Sequence, residues 1–184
     1  GIRHTPWHKN CISLGLASGF LEPLESTSIH LITTAITRLM KLFPFGENLE
    51  QLAKRYNEET RVEFEAVRDF IVLHYHATER NDTPYWDRNR TMEIPESLAH
   101  RMDIFQENGF VWNDPVGLFR IDSWIQVMTG QGLEPGEYHH AGHLMDTEAL
   151  QVQMERIRTR VARDLQALPT HHDFIKQYCP APSE

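Results

Sequence analysis

Apolar residues recur at three- and four-residue steps along most of this chain, which is the spacing of one face of an α-helix. A first stripe predicts a helix over about residues 27–42, and Pro44 follows its end. Its members are Ile29, Ile32, Ile36, Leu39 and Phe43. A second pattern predicts a helix over about residues 48–76. Its expected buried side comprises Phe64, Val67, Phe70, Ile71 and His74.

Three more helices are predicted in the second half of the chain. Pro95 suits the first turn of one, and Gly109 ends it. A shorter, aromatic-bearing helix is predicted over residues 118–128. The last long helix begins near Asp146 and ends at Pro169. Its stripe favours packing against a core, and comprises Leu150, Met154, Ile157, Val161, Leu165 and Leu168.

One stretch, from Cys11 to Leu14, is typical of a buried strand, with no earlier segment to pair with. A sheet needs several strands to bury its faces. We therefore expect a mainly α fold with one residual strand, and we expect the chain to be the C-terminal part of something larger.

Composition narrows the class of protein. The chain of 184 residues is long enough for one domain with its own core. Its net charge of −8 argues against nucleic acid or an anionic membrane surface as a partner. No apolar run has the length of a membrane span, and no signal peptide is recognisable. Cys11 and Cys179 lie far apart, so reduced thiols and a cytoplasmic location are expected.

The segment of residues 19–29 is the best candidate for chemistry; its part before the predicted helix, residues 19–26, is here called the strap. Two carboxylates, Glu22 and Glu25, precede three consecutive hydroxyl residues at the start of the first helix. The first N–H groups of a helix lack internal partners and lie at the positive end of its dipole, so they can bind an anion beside Glu25. The alternative is that one of the hydroxyl side chains simply caps the helix.

Histidine clusters give a weaker signal. His139, His140 and His143 fall in a loop with no cysteine nearby, so a polar loop is favoured and no metal site is predicted.

Several stretches resemble the flavin-dependent tryptophan halogenase family. NCISLGLASGFLEPLESTSIHLI, from Asn10, is similar to the family's signature segment. HYHATERNDTPYW from His74, PESLAHRMDIFQENG from Pro95 and SWIQVMTGQGLEP from Ser123 are similar too. The resemblance implies the helical C-terminal part of such a halogenase. Residues 1–26 would end the flavin-binding domain and form the strap, and residues 27–184 would form a helical, substrate-side subdomain.

The resemblance also implies a reaction. Family members use reduced FAD (FADH2) and oxygen to oxidise chloride or bromide, and they halogenate an electron-rich aromatic compound such as tryptophan or indole. The expected partners are that substrate, a separate flavin reductase and the N-terminal half of the same enzyme, with a homodimer possible.

Site residues carry over by position from the family's signature. Glu25 matches the catalytic glutamate that faces the substrate ring, where a carboxylate can accept the proton that the ring loses. Ser26 is expected to contact the substrate beside it. Thr27 and Ser28 match the pair whose backbone N–H groups hold the halide. The flavin ring is expected to contact Leu16 and Ile29.

The chain also departs from the family pattern. The position of Ser28 is usually glycine, so its backbone must avoid the glycine-only region. Residues 105–124 lack the tyrosine pair with which tryptophan-specific members hold tryptophan, which leaves simple indoles and phenols open. The glycine-rich flavin fingerprint, the W-x-W-x-I-P signature and the catalytic lysine are absent from these residues. A flavin monooxygenase without halogenation and a non-catalytic helical interaction module are the alternatives.

Overall fold

The computed structural model describes residues 1–46, 48–114 and 117–180. It divides into two compact units, Gly1–Tyr138 and His139–Glu184. The predicted mainly α fold is confirmed. The first unit contains α1 (Ser28–Lys41), α2 (Glu50–His76), α3 (Pro84–Thr91), α4 (Glu96–Asn108) and α5 (Ile121–Gly130). The second unit contains α6 (Thr147–Ala167) and α7 (His171–Tyr178).

The predicted single strand is instead half of a small hairpin. β1 (Trp7–His8) pairs antiparallel with β2 (Cys11–Ile12), and Lys9 makes the turn with a φ of 52°. The prediction of one buried strand without an earlier partner is wrong. Its partner is the segment just before it, which a tight turn brings alongside, and Cys11 is exposed.

Trp7 fastens this hairpin to α2. Its indole is 3% exposed, and its backbone N–H donates to Asn57 Oδ1 at 2.7 Å. Asn57 Nδ2 donates in return to the carbonyl oxygen of Trp7 at 2.9 Å. One amide side chain thereby satisfies both backbone groups of a buried residue.

The core forms around the second half of α2, where α4 and α5 pack against it. The predicted buried side of α2 is confirmed for Phe64, Val67, Phe70 and Ile71, which are 0–6% exposed. The main core cluster comprises Phe70, Leu73, Leu98, Phe105, Val111, Trp124 and Met128.

The face of α1 that is buried differs from the predicted stripe. Leu31, Ala35 and Arg38 are buried, whereas Ile29 is 77% and Phe43 is 53% exposed. Leu31 and Ala35 lie four residues apart, so they form an apolar ridge of their own that the larger aliphatic residues obscured in the sequence.

A buried ionic network joins α1 to α2. The Arg38 guanidinium donates to Glu63 Oε2 at 2.8 Å, to Thr60 Oγ1 at 3.0 Å and to Glu59 Oε2 at 3.2 Å. About two turns closer to the start of α1, His30 Nε2 lies 3.5 Å from the other oxygen of Glu63. The Glu63 side chain is 3% exposed and is compensated by these partners, so the network fixes the position of α1 on α2.

The predicted helix ends are largely confirmed. Gly109 ends α4 with a φ of 71°, a value that favours glycine. The Asp146 carboxylate caps α6 by accepting from the N–H of Glu148 at 3.3 Å.

The apolar stripe of α6 is not buried. Its six residues are 44–66% exposed, so the expectation that the stripe packs into a core is wrong. A periodic stripe predicts an amphipathic helix, whereas burial needs a covering element, and α7 is only 8 residues long.

No helix within the described part of the chain is both long and apolar enough to cross a membrane.

Candidate functional site

The strap enters α1 through a strained turn. Residues Leu24–Ser26 form one short helical turn, in which the N–H of Ser26 donates to the carbonyl oxygen of Pro23 at 2.9 Å. Glu25 and Ser26 have positive φ values of 67° and 51°, in the region that favours glycine. Such strain is kept in proteins chiefly at functional sites, where the surrounding structure enforces it.

Four backbone N–H groups at the start of α1 make no hydrogen bond within the described part of the chain. Those of Thr27, Ser28, Ile29 and His30 find no acceptor among residues 1–46, 48–114 and 117–180, and Leu31 makes the first helical bond, to Thr27 at 3.0 Å. The Thr27 side chain makes no capping hydrogen bond. These N–H groups and the helix dipole together favour an anion.

The backbone of Ser28 avoids the glycine-only region, as a serine at this position requires. Ser28 is the first residue of α1, and within the described residues only Lys9, Glu25 and Ser26 combine a side chain with a positive φ. A serine is therefore compatible with an anion held at this N–H, because the positive φ values fall two and three residues earlier, at Ser26 and Glu25.

Glu25 stands beside this start and touches the end of α2. Its side chain is 38% exposed, and its Oε1 lies 3.4 Å from Nε2 of His74. The other ring nitrogen of His74 lies 2.8 Å from the carbonyl oxygen of Phe70. The imidazole is thus fixed by its own helix on one side and faces the Glu25 carboxylate on the other.

The second strap carboxylate, Glu22, is held by the next residue of α2. Tyr75 donates its phenol O–H to Glu22 Oε2 at 2.9 Å, and the N–H of Leu24 donates to Oε1 at 3.0 Å. The hydrogen bond to Glu22, followed by burial, raises the pKa of Tyr75 above its ordinary value. The Tyr75 ring stacks on Trp86 of α3.

The contacts that the end of α2 makes with the strap are not predictable from the sequence pattern. His74 was assigned to the buried side of a helix, and Tyr75 was assigned to nothing. Two adjacent polar aromatic residues, His74 and Tyr75, near the end of a long helical pattern were the only sequence feature that pointed to this role. Their proximity to the strap follows from the fold and is not visible in the sequence.

The two residues expected to contact flavin are exposed apolar side chains. Leu16 is 67% exposed and lines the same narrow cleft as Ser28 and Ile32. Ile29 follows Ser28 directly and is 77% exposed.

The aromatic residues of the stretch 105–124 serve mainly as structure. Phe105 and Trp124 are each 2% exposed in the core. Trp112 and Trp124 enclose the Arg101 guanidinium, which lies 4.1 Å and 4.2 Å from their ring centroids. Burial lowers the pKa of Arg101, and a hydrogen bond of 2.7 Å to Asp114 opposes that shift.

The histidine loop forms a short turn. His139 Nδ1 accepts from the N–H of Ala141 at 3.2 Å and so caps the turn His140–Leu144. Within the described ranges, no three His, Cys, Asp or Glu side chains come together as metal ligands would.

Comparisons with known proteins agree on one family. The family model described as "Tryptophan halogenase" matches residues 1–147. A tryptophan 6-halogenase of Streptomyces toxytricini is 34% identical over 181 residues, which make up 95% of this chain and 34% of that protein.

Solved structures give the same result. A flavin-dependent halogenase from Xanthomonas campestris is 48% identical with a TM-score of 0.93, over 100% of this chain and 37% of its own. One from Brevundimonas sp. BAL3 is 38% identical with a TM-score of 0.89, over 96% of this chain and 36% of its own. The chain thus spans about a third of the length of these relatives.

Proposed function

Because the chain belongs to the tryptophan halogenase family, we propose that it forms the substrate- and halide-binding side of a flavin-dependent halogenase. One observation carries the proposal. The Glu25 carboxylate stands just before a row of N–H groups at the start of α1 that find no acceptor among the described residues. A proton acceptor and an anion site side by side are what halogenation of an aromatic ring requires.

The residues present are compatible with a flavin. Leu16 and Ile29 offer exposed apolar surface beside the strap, which suits the flat, largely apolar ring system of that cofactor. When bound, reduced flavin would supply with oxygen the oxidising power that turns a halide into an electrophilic halogen. The chain lacks the glycine-rich fingerprint that holds the phosphates of such a cofactor. The rest of a full-length halogenase would therefore supply most of the flavin site.

The strap supplies the polar groups of the reaction. The N–H groups of Thr27 and Ser28 would hold chloride or bromide, because their partial positive charge has no acceptor among the described residues. When the electrophilic halogen bonds to a ring carbon, the ring becomes cationic and must lose the proton of that carbon. Glu25 would accept this proton, while Ser26 contacts the substrate at its side.

The substrate is proposed to be an electron-rich aromatic compound of the indole type. The relatives named above include a tryptophan 6-halogenase. In this chain, however, Phe105 and Trp124 are buried in the core, and residues 105–124 contain no tyrosine pair. These features support a simple indole more than free tryptophan.

The domain division at residue 26 is a functional proposal. Residues 1–26 would complete the flavin side and the strap, and residues 27–184 would form the substrate side. Both parts contribute to the compact unit Gly1–Tyr138, so the division describes roles and not separate folding units.

Partners and location follow from the same proposal. A separate flavin reductase would deliver the reduced cofactor, and the N-terminal half of the enzyme would complete the site. Two exposed, unpaired thiols, Cys11 and Cys179, support the cytoplasm as the location. A homodimer stays a prediction.

Substitution of Glu25 by glutamine tests the proposal. The full-length enzyme is supplied with indole, bromide, oxygen and a flavin reductase, and brominated indole is measured by mass spectrometry. Glu25→Gln should lower kcat about 100-fold or more, because an amide cannot accept the ring proton. The control Glu58→Gln, on the exposed side of α2, should leave the rate unchanged.

Three outcomes would overturn parts of this account. Undiminished bromination by Glu25→Gln would remove Glu25 from its role. Oxygenated products without dependence on halide would identify the related flavin monooxygenase. An absence of both flavin binding and turnover would leave a helical interaction module.

A further inference from the structure

Two adjacent residues at the C-terminal end of α2 hold the two carboxylates of the strap. His74 Nε2 lies 3.4 Å from Glu25 Oε1, and Tyr75 donates to Glu22 Oε2 at 2.9 Å. The contacts join segments far apart in sequence, and the Glu25 that they restrain has a strained φ of 67°. The end of α2 therefore keeps the strap in a conformation that it would not favour by itself.

The surroundings of His74 decide which atoms carry protons. A backbone carbonyl only accepts hydrogen bonds, so the nitrogen facing Phe70 at 2.8 Å, Nδ1, must carry a proton. An ionised carboxylate also only accepts. The contact between Nε2 and Glu25 Oε1 is therefore attractive only if a proton lies between these two atoms.

We propose that His74 is a positioning residue for Glu25, which it holds through the 3.4 Å contact between Nε2 and Oε1, leaving Oε2 as the oxygen that accepts the ring proton. The proposal rests on the proposed function. The imidazole suits this role because the edge of Phe70 and its carbonyl fix the ring, and because the His74 side chain is only 18% exposed. A carboxylate whose one oxygen is occupied presents the other in a fixed direction.

The neighbouring residue His76 provides a matched control. It lies on the same last turn of α2, and its Nδ1 also contacts a backbone carbonyl oxygen, that of Asn89 at 3.2 Å. Among the described residues, no hydrogen bond or ion pair joins it to the strap. A variant of His76 thus reports the cost of removing an imidazole from this helix end without removing the contact to Glu25.

Three substitutions of His74 separate the roles of its two nitrogens. His74→Gln places an N–H donor about where Nε2 stands, His74→Asn places one near Nδ1 only, and His74→Phe keeps the ring without polar atoms. Each is made in the full-length enzyme. The two readouts are steady-state kinetics of indole bromination and hydrogen–deuterium exchange of the strap amides, followed by mass spectrometry.

A positioning role predicts a specific pattern. His74→Phe and His74→Asn should lower kcat roughly ten- to a hundredfold with little change in the KM for indole, and the strap amides should exchange faster. His74→Gln should restore both readouts most of the way. His76→Phe should behave as the unaltered enzyme in both.

Other results overturn the proposal. Unchanged strap exchange and kcat in His74→Phe would show that the contact has no effect. A His74→Gln variant as slow as His74→Phe would show that a donor at this place is not what matters. If the unaltered enzyme brominates nothing, the proposed function fails, and strap exchange in the same variants still decides whether His74 holds Glu25.

Discussion

Glu25 and Ser26 occupy backbone conformations that cost free energy for residues with side chains. A left-handed conformation costs a residue other than glycine about 1 kcal/mol or more, and here two neighbours share it, with φ values of 67° and 51°. A glutamate at such a position keeps its carboxylate beside the start of α1 at the expense of stability. This is the trade expected at a catalytic residue.

That expense can be measured. Glu25→Gly should raise the free energy of unfolding by up to about 1 kcal/mol, because glycine adopts this φ without strain. Glu25→Gln keeps a side chain and should leave the backbone strain in place. Chemical denaturation of both variants gives the difference.

A glycine substitution in a regular helix serves as the control for the sign of the change in the free energy of unfolding. Glu58→Gly, within α2, should lower stability, because glycine is a poor helix former. If Glu25→Gly destabilises the protein as Glu58→Gly does, the strap stores no backbone strain.

At this scale the sequence indicated a candidate anion site but not the backbone geometry of the residues before it. The row of Glu25, Ser26, Thr27 and Ser28 before an apolar pattern indicated an anion site, and the unpaired N–H groups agree with it. From the sequence, Ser28 was the residue whose backbone dihedrals were in doubt, because the family usually has glycine there. The positive φ values instead fall on Glu25 and Ser26, the two residues before Thr27. Local dihedrals depend on how the strap is tied down, which no local pattern records.

At the scale of elements, the end of α2 and the strap are joined into one structural unit. Tyr75 and Glu22 make the hydrogen bond of 2.9 Å that joins them, and Tyr75 also stacks on Trp86 of α3. A change in the protonation of Tyr75 must therefore affect how firmly the strap is held.

This dependence has a definite sign. The pKa of Tyr75 is raised above its ordinary value, first by its hydrogen bond to Glu22. The stabilisation is fully present below the unfolded-state pKa of about 10 and is lost as the pH rises through the higher folded-state pKa. Tyr75→Phe should therefore show a shallower fall in stability above about pH 10 than the unaltered chain.

Denaturation at a series of pH values checks this prediction. Tyr178→Phe, in α7, is the control for the loss of one phenol and should keep the steeper fall. Equal slopes for Tyr75→Phe and the unaltered chain would contradict the anchoring of Glu22 by Tyr75.

The positions of the helices could be predicted from the sequence more accurately than the faces that they bury. Periodicity and capping residues gave α2, α4 and α6 nearly at their observed ends, because those signals are local. The buried face of α1 was predicted wrongly, since Arg38 and its partner Glu63 on α2 decide which side turns inward. A buried ion pair across two helices leaves no periodic apolar signal.

For the whole molecule, the first unit contains every residue of the candidate site. The strap, the start of α1 and the end of α2 all lie within Gly1–Tyr138, and the family model matches residues 1–147. The unit His139–Glu184 adds a long amphipathic helix whose stripe is exposed. Periodicity indicated that helix correctly but contained no information on what, if anything, covers it.

The central claim is that the start of α1 holds a halide beside Glu25. Crystals of the full-length enzyme soaked in bromide test it most directly, because anomalous scattering locates bromide without assumptions about the reaction. The account predicts a peak in hydrogen-bond contact with the backbone N–H groups of Thr27 and Ser28, next to the Glu25 carboxylate. Bromide found only elsewhere, with these N–H groups occupied by water or by protein atoms, would contradict the account.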